Sequence, residues 1–276
     1  MSSVLFDRPG PRARARHRLI TVGFSLLLLV GAVALGWRLH DGGFLTAGEF
    51  NEAFQTSNVR YLLHGLTSTL LAAALGIVCS VVFGALFAAG RLSDHWVVRA
   101  PCVLVIEFFR AVPVVLLMII IYFSAKDFLG HLGAVVAALM LYNGSVLAEV
   151  FRAGVLAVPK GQSEAAYGIG LRKTQVMSII LMPQAVRFML PAIVSQCVIV
   201  LKDTSLGALI GFEETVRRGR QIALYVDNSI LVYAAVAVLF ILINYALSKL
   251  AKYLEQRMSG RGRSAARDLE TKADPG

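Results

Sequence analysis

The chain has 276 residues, of which 57% are hydrophobic and only 16% are charged, and its mean hydropathy is +0.69. A soluble chain carries about 25% charged residues, so this composition excludes an ordinary soluble domain and indicates an integral membrane protein. The net charge of +10 does not indicate a nucleic acid partner, because the basic residues flank long apolar runs, as membrane orientation requires.

Six apolar segments are long enough to cross a bilayer as helices, which takes about 20 residues each. Helices are expected because the unpaired backbone of an open strand would be costly in hydrocarbon. The predicted spans are residues 19–39, 62–90, 101–124, 132–150, 188–211 and 229–249. We therefore expect an all-α fold, a polytopic transmembrane helical bundle over residues 19–250, with a basic tail (1–18) and a polar tail (251–276).

The first segment follows a basic run, residues 12–18 (RARARHR), as the apolar core of a signal peptide does. Its uncharged stretch, Leu19–Trp37, is 19 residues long. That length is close to what a crossing needs and exceeds the apolar core of a signal peptide, which is about 7–15 residues. We expect a retained first span, with cleavage as the alternative.

The distribution of Lys and Arg predicts the orientation of the bundle. Nineteen of these residues lie in the two tails and in the connections on the same side, against five in the connections of the opposite side. Since positive residues accumulate on the cytoplasmic side, we expect both termini in the cytoplasm. The one local exception is the arginine cluster at 217, 218 and 220, which follows Glu213 and Glu214.

The longest connection within the membrane domain covers about residues 151–187. Connections of this length are usually functional or contain helices of their own. Residues 162–180 are compatible with a helix, and Pro159 and Pro183 bound them, where prolines suit helix ends better than interiors. We expect one soluble helix here, lying along the inner face of the membrane.

This connection reads VPKGQSEAAYGIGLRKTQVMSIILMPQA. It resembles the signature loop of permease subunits of binding-protein-dependent ATP-binding-cassette importers, which has Glu-Ala-Ala, a Gly four residues after the second Ala, and then Ile-x-Leu-Pro. Met182 replaces the Leu of the family, a change that keeps the apolar volume. The matching positions are Glu164, Ala165, Ala166, Gly170, Ile180 and Pro183.

Three further blocks narrow the resemblance to the polar amino acid branch, which includes histidine, glutamine and glutamate permeases. They are FFRAVPVVLLMIIIYF (108–123), YNGSVLAEVFRAGVLAVPKGQ (142–162) and LPAIVSQCVIVLKDTSLGALIG (190–211). The resemblance covers about residues 60–250, and the region before it is most similar to actinobacterial glutamate permeases. It implies a type I importer permease fold in the bacterial inner membrane and transport of a polar amino acid, glutamate or a related one.

The resemblance also implies that the Glu-Ala-Ala segment forms a short coupling helix that docks in a cleft of a cytoplasmic ATPase dimer. Small residues allow close approach, and a carboxylate near the start of a helix complements its dipole. The implied coupling residues are Glu164, Ala165, Ala166, Gly170 and Pro183. Further implied partners are a second permease subunit, identical or related, and an extracytoplasmic solute-binding protein.

The sequence contains no G-x-x-x-x-G-K-[ST] phosphate-binding loop. We therefore expect no enzyme activity and no cofactor in this chain, and we expect a partner subunit to use the ATP. No metal site is expected, since the five histidines and three cysteines are scattered over different segments. The same scatter disfavours a membrane enzyme, which would need a constellation of such groups.

Ionisable residues inside the predicted spans are candidates for the cargo pathway, since each costs about 2.5–3.5 kcal/mol to insert. Groups of both signs could meet the ammonium and the carboxylate of an amino acid. The alternative is that neighbouring charges neutralise each other and lock the helix packing. The candidates are Glu107 and Arg110 in the third span, and Lys202, Asp203 and Ser205 in the fifth.

Pro113 and the pair Glu149 and Arg152 are interpreted as structural features and not as part of the cargo pathway. Pro113, after the first candidate pair, is expected to kink the third span. Glu149 and Arg152, again three residues apart, are assigned to orienting the coupling loop. An ion-coupled secondary transporter remains the alternative function, although such proteins often carry internal repeats and the first three spans here do not echo the last three.

Overall fold

The computed structural model describes residues 10–273, so positions 1–9 of the basic tail and 274–276 of the polar tail lie outside it. The described chain contains no strand, which confirms the predicted all-α fold. A π-helical turn, Val176–Leu181, precedes α8, and a 3-10 helix, Thr204–Ile210, follows it. The α-helices are α1 (Pro11–Asp41), α2 (Ala47–Ala53), α3 (Thr56–Arg91), α4 (Trp96–Ala111), α5 (Val114–Leu156), α6 (Lys160–Gly168), α7 (Lys173–Gln175), α8 (Met182–Asp203), α9 (Thr215–Tyr225) and α10 (Ser229–Ala273).

Five helical segments among the described residues are long and apolar enough to cross a membrane, where six spans were predicted. The third and fourth predicted spans both overlap a single observed segment, Val114–Leu156, while each of the other four predicted spans corresponds to a segment of its own. The five segments are Ala15–Asp41, Thr56–Arg91, Val114–Leu156, Lys173–Ile210 and Ser229–Leu250.

The helix α5 is not straight, because the chain reverses within it. Ala125 (φ −138°) and Gly130 (φ +61°) depart from helical geometry. Tyr122 Oη lies 3.0 Å from His131 Nε2, whereas nine residues of straight helix would separate the two backbones by about 13.5 Å. The chain therefore forms a hairpin at 125–130, which divides α5 near the predicted boundary of the third and fourth spans. Six crossings remain a prediction.

The prediction that residues 101–124 form one continuous helix is wrong. The helix α4 ends at Ala111, and Val112 and Pro113 are extended, with ψ of 127° and 131°. Proline disfavours helical geometry in the residue before it and supplies no N–H for the helix ladder. The expected kink at Pro113 is thus a complete break between two helices.

The core of the bundle is the packing of α3 against α5, where small residues let the two backbones approach closely. A Cβ added to Gly84 would lie 2.9 Å from Cβ of Leu147 and 3.0 Å from the carbonyl oxygen of Gly144. A Cβ added to Gly144 would lie 2.7 Å from Cδ1 of Phe83. Larger side chains on either helix would force them apart.

The outer surface is apolar, as expected for helices that contact lipid. The 18-residue apolar window of α1 has no buried residue, and Leu27 is 67% exposed. We call the end of the bundle that carries residues 151–187 the loop end, and the other end the opposite end. Thr56 of α3 lies at the opposite end and Arg91 at the loop end, so this helix connects the two.

Replacing Gly84 with Val is expected to destabilise the protein by about 1–3 kcal/mol, since the added atoms overpack the contact between α3 and α5. Thermal unfolding and monodispersity of the purified protein in detergent measure the effect. Gly31→Val in α1 is the matched control, because an added Cβ there meets no atom within 4 Å. Equal stability of the two variants would contradict the proposed role of Gly84.

Candidate functional site

The predicted coupling segment forms the short helix α6 at the loop end. The helix ends in a Schellman motif, in which Leu171 N–H donates to the Ala166 carbonyl (3.2 Å) and Gly170 N–H donates to the Tyr167 carbonyl (2.9 Å). Gly170 has a φ of +84°, a left-handed conformation that costs glycine nothing because it lacks a Cβ. Gly170 therefore determines where α6 stops.

The single helix predicted over residues 162–180 is wrong, since residues 169–172 separate α6 from a second helical stretch that begins at Lys173. That second stretch continues through the π-helical turn into α8. Pro183 lies in the first turn of α8 and does not end a loop helix. Because the helical chain is continuous here, the missing N–H of Pro183 interrupts the hydrogen-bond ladder, and the π-helical turn directly before it is the kind of local distortion found at such interruptions.

The outward face of α6 carries the first two residues of the Glu-Ala-Ala segment. Glu164 and Ala165 are exposed, and Glu164 makes no hydrogen bond or ion pair with any residue that the structure describes. Ala166 is only 4% exposed, and α6 packs on the π-helical turn. One of the two alanines therefore packs within the chain, while Ile169, just past the helix, is 79% exposed.

Two ionic contacts flank α6, and both end at the corner between α3 and α4. Before α6, Glu149 of α5 lies 3.1 Å from Arg91. After α6, Lys173 pairs with Asp94, and the Lys173 ammonium lowers the pKa of Asp94 through this hydrogen bond. A displacement of α6 would therefore act on the loop end of α3 from both sides.

The two charge pairs read from the sequence belong to one network. Arg110 Nη1 lies 3.5 Å from Glu107 Oε2, and Arg152 Nε donates to Glu149 Oε1 at 2.8 Å. Arg91, whose side chain is 17% exposed, lies 3.1 Å from both Glu107 and Glu149 and joins the pairs. Arg91 was not predicted to belong to this site, because it ends an uncharged stretch and is separated from both pairs along the chain.

The remaining pathway candidates lie where α8 gives way to the 3-10 helix. Lys202 is exposed and Asp203 is half-buried. Ser205 Oγ donates to the Lys202 carbonyl at 2.7 Å. Lys202 and Asp203 form no ion pair in the described structure, so the two charges project separately from a point where the helix changes type.

A buried amide pair supports this junction and was not predicted. Gln196 Nε2 donates to Asn143 Oδ1 at 2.5 Å, and the two side chains are 7% and 0% exposed. A sequence signal existed, since each residue is an amide within an otherwise apolar span, where polar side chains usually hydrogen-bond across helices.

At the opposite end, α9 is held against α3 through its first residues. Glu214 caps α9, accepting hydrogen bonds from Val216 N–H (2.9 Å) and Arg217 N–H (2.7 Å). Thr69 Oγ1 accepts from Thr215 N–H at 3.1 Å and lies 2.8 Å from Thr215 Oγ1. These buried contacts position the start of α9.

The arginines that formed the exception in the orientation count are partly neutralised. Arg217 Nε donates to Glu213 at 2.8 Å. The guanidinium of Arg218 lies 4.5 Å from the ring centre of Tyr61 and 3.6 Å from Glu213. Each interaction stabilises positive charge on the less basic side of the bundle.

Glu214 makes the stability of this end dependent on pH. Burial raises its pKa from 4.5 to about 7, against the lowering effect of its backbone hydrogen bonds and Arg217, while Glu213 adds to the rise. A raised folded-state pKa contributes stability that is fully present below the unfolded value of 4.5 and is lost as pH rises to about 7, here on the order of 3 kcal/mol. Thermal unfolding measured from pH 4.5 to pH 8.5 is therefore expected to show stability that falls up to about pH 7 and then levels off.

The matched variant for this pH series is Glu214→Gln, which keeps an acceptor for the cap but cannot ionise. Its unfolding temperature is expected to lack the decline between pH 4.5 and pH 7. A decline of the same size in both proteins would assign the pH dependence to other groups.

Comparison with known proteins gives matches over most of the chain. The family described as "Binding-protein-dependent transport system inner membrane component" matches residues 80–260. The glutamate transport system permease protein GluD of Corynebacterium glutamicum is 41% identical over 210 residues, covering 74% of this chain and 77% of that protein. The glutamine transport system permease protein GlnP of Escherichia coli K12 is 32% identical over 202 residues, covering 71% of this chain and 92% of that protein.

Solved structures show the same fold. The crystal structure of an amino acid ABC transporter with histidines has a chain that is 27% identical, with a TM-score of 0.68 over 72% of this chain and 94% of that chain. A chain of the inward-facing MetNI methionine ABC transporter aligns with a TM-score of 0.64 at 18% identity, over 74% of this chain and 99% of that chain, which supports the fold alone.

Proposed function

The chain belongs to the family of binding-protein-dependent transport system inner membrane components, and from that membership we propose that it is the permease subunit of an ATP-driven importer of polar amino acids. Family membership confirms the resemblance read from the signature loop. Membership also implies ATPase and solute-binding partners in general. The cargo, the partner composition and the residue roles are proposed below.

The observation that carries the proposal is the exposed, unpaired carboxylate on α6. Glu164 is solvent-accessible, and α6 presents it beside Ala165 with no partner among the described residues. A carboxylate and a small residue on an outward helix face suit docking in a groove with a basic side chain. We assign α6 as the coupling helix, with the loop end facing the cytoplasm and an ATPase dimer.

The ionic contacts at Arg91 and Asp94 provide a route from α6 to the spans. Closure of an ATPase dimer would pull α6, and the force would reach Glu149 before α6 and Lys173 after it. Both residues contact the corner after α3, and α3 packs along α5 to the opposite end. Alternating access by helix rocking is the motion that these connections support.

The proposed cargo pathway uses the charges at the break after α8. Lys202 and Asp203 offer separate positive and negative groups, and an amino acid brings a carboxylate and an ammonium. Helix breaks at membrane depth are a recurring place for such sites. Glutamate is the proposed cargo, with glutamine as the next candidate, because the similar proteins GluD and GlnP are permeases of glutamate and glutamine transport systems. Glu107 and Arg110 are proposed to serve gating within the Arg91 network.

The energy source is proposed to be ATP bound by the partner subunits, with no cofactor in this chain. The second permease subunit is either an identical chain or a related one. The alternative, an ion-coupled secondary transporter, is disfavoured by membership in a family of importer components. It would be supported only by uptake that an ion gradient drives without ATP.

Reversing the charge of the proposed coupling carboxylate, Glu164→Lys, is expected to reduce ATP-driven uptake by about tenfold or more, since a charged hydrogen bond contributes about 1.5–3 kcal/mol. Uptake is measured in proteoliposomes that contain the permease, its ATPase and saturating binding protein, with radiolabelled glutamate and glutamine. Glu52→Lys, an exposed carboxylate at the opposite end, is the matched control for charge. Wild-type uptake by the Glu164 variant would overturn the assignment of α6.

Gly170 tests the geometry of the same helix separately from its charge. An added Cβ would meet no atom within 4 Å, so substitution acts through backbone strain of about 1–2 kcal/mol for a residue that resists the left-handed region. Gly170→Val is expected to lower coupled uptake, and Gly170→Asn to retain most of it, because Asn tolerates this conformation. Equal activities for the two variants would show that the Schellman end is not required.

A further inference from the structure

A cavity of about 790 Å³ opens at the loop end between α3, α5, α7 and α8. This volume lies in the range of small-molecule sites, about 300–1,000 Å³. Its interior is apolar and is lined by Ala85, Ala89, Val155, Met189 and Ile193 among others. None of the proposed cargo residues Lys202, Asp203 or Ser205 lines it, so it is a separate feature of the molecule.

The rim of this cavity is polar and lies beside an excess of positive charge. Asp94, His95 and Lys173 line it, and Asp94 pairs with Lys173, so these two charges balance. Arg99 does not line the cavity, but it is exposed and lies one helical turn after His95 in α4. This further cation leaves the surroundings of the rim attractive to an anion.

The polar rim of the cavity lies at the bilayer surface and its apolar part lies deeper, which is the order of the headgroup and acyl chains in a lipid. Trp96, next to the rim, is 71% exposed, and tryptophan is enriched at the level of lipid headgroups. The α3 residues that line the interior run from Ala85 to Leu92, a rise of about 10 Å along the helix. The apolar part thus extends from the headgroup level toward the acyl chains.

We propose that this cavity binds an anionic phospholipid, with the phosphate at Lys173 and part of an acyl chain between α3 and α8. A polar amino acid does not suit the interior, because its charges would lie among alanine, valine and methionine side chains without partners. Basic pockets between spans on the cytoplasmic side are a recurring feature of lipid recognition. The positive charge that Arg99 adds beside the rim is the reason for an anionic headgroup over a zwitterionic one.

The position of the site connects lipid binding to the coupling segment. Lys173 and Met177 line the cavity and follow α6 closely in the chain. A phosphate at the rim competes with Asp94 for Lys173, and would exchange the contact between α7 and the α3–α4 corner for a contact with lipid. Lipid occupancy would thereby adjust how firmly the coupling segment is held.

Native mass spectrometry of the full-length chain in detergent, supplied with phosphatidylglycerol or phosphatidylcholine of the same acyl composition, tests the proposal. Wild-type protein is expected to retain phosphatidylglycerol in preference. Lys173→Gln is expected to reduce that preference about fivefold, the contribution of one lysine near an anionic headgroup. Asp94→Asn is expected to increase it, because Lys173 is released. A purely structural role of the ion pair would move both variants in the same direction and overturn the proposal.

Filling the cavity with a larger side chain provides a second test of the lipid site. Ala89→Phe occupies the apolar interior and is expected to abolish preferential retention, while Leu86→Phe on the same helix leaves it unchanged. Leu86 is 67% exposed and is not part of the lining. Should Ala89→Phe not elute as a monodisperse protein, Ala85→Leu replaces it, one turn deeper.

The outcomes separate this proposal from the transport function. Retention that is equal in wild type and both filling variants overturns the lipid site. If a filling variant keeps its lipid but no longer shows the mass of a dimer, the cavity is an interface between two permease copies. That result also overturns the lipid site. The readout involves neither ATP nor uptake, so a failure of the proposed transport function leaves this test decisive.

Discussion

The close approach of α3 and α5 is the constraint on which the other features depend. Gly84 and Gly144 lie where each helix meets the other, and neither position has room for a Cβ. Seven residues after Gly84 the chain reaches Arg91, and five after Gly144 it reaches Glu149. Because the helices are close at the glycines and stay in contact toward the loop end, the arginine and the glutamate come within 3.1 Å.

Charge neutralisation then determines how the loop end is assembled. An arginine that is 17% exposed at the edge of an apolar bundle needs anionic partners, since desolvation of an unpaired charge is costly. Arg91 finds two, one from α4 and one from α5. The break at Pro113 lets α4 leave the direction of α5 and turn Glu107 toward α3. The network therefore combines a backbone break with helix packing, and it ties the coupling segment to the spans.

The local chemistry of α6 was readable from the residue order, although its extent was not. A glycine shortly after Glu-Ala-Ala is a typical helix stop, and Gly170 serves as one through its left-handed conformation. The helix-compatible residues 173–180 nevertheless suggested one long helix. They instead continue into α8, because the π-helical turn lets Val176 and Ala185 pack into the bundle, each 0% exposed. The burial of these two residues determines where the helical stretch continues, and the hydrophobic periodicity of the sequence does not predict it.

Local patterns of residues were enough to predict the membrane class, the all-α fold, most span positions and the family, because long apolar runs and the signature loop are contiguous in the chain. They also predicted the i,i+3 pairs, which follow from helix geometry alone. Only the tertiary structure decided that Arg91 joins those pairs, that Gln196 meets Asn143, and that α5 folds back at 125–130. Each of these depends on residues distant in the chain, or on a reversal that tertiary contacts stabilise, and side-chain spacing along one helix contains no information about either.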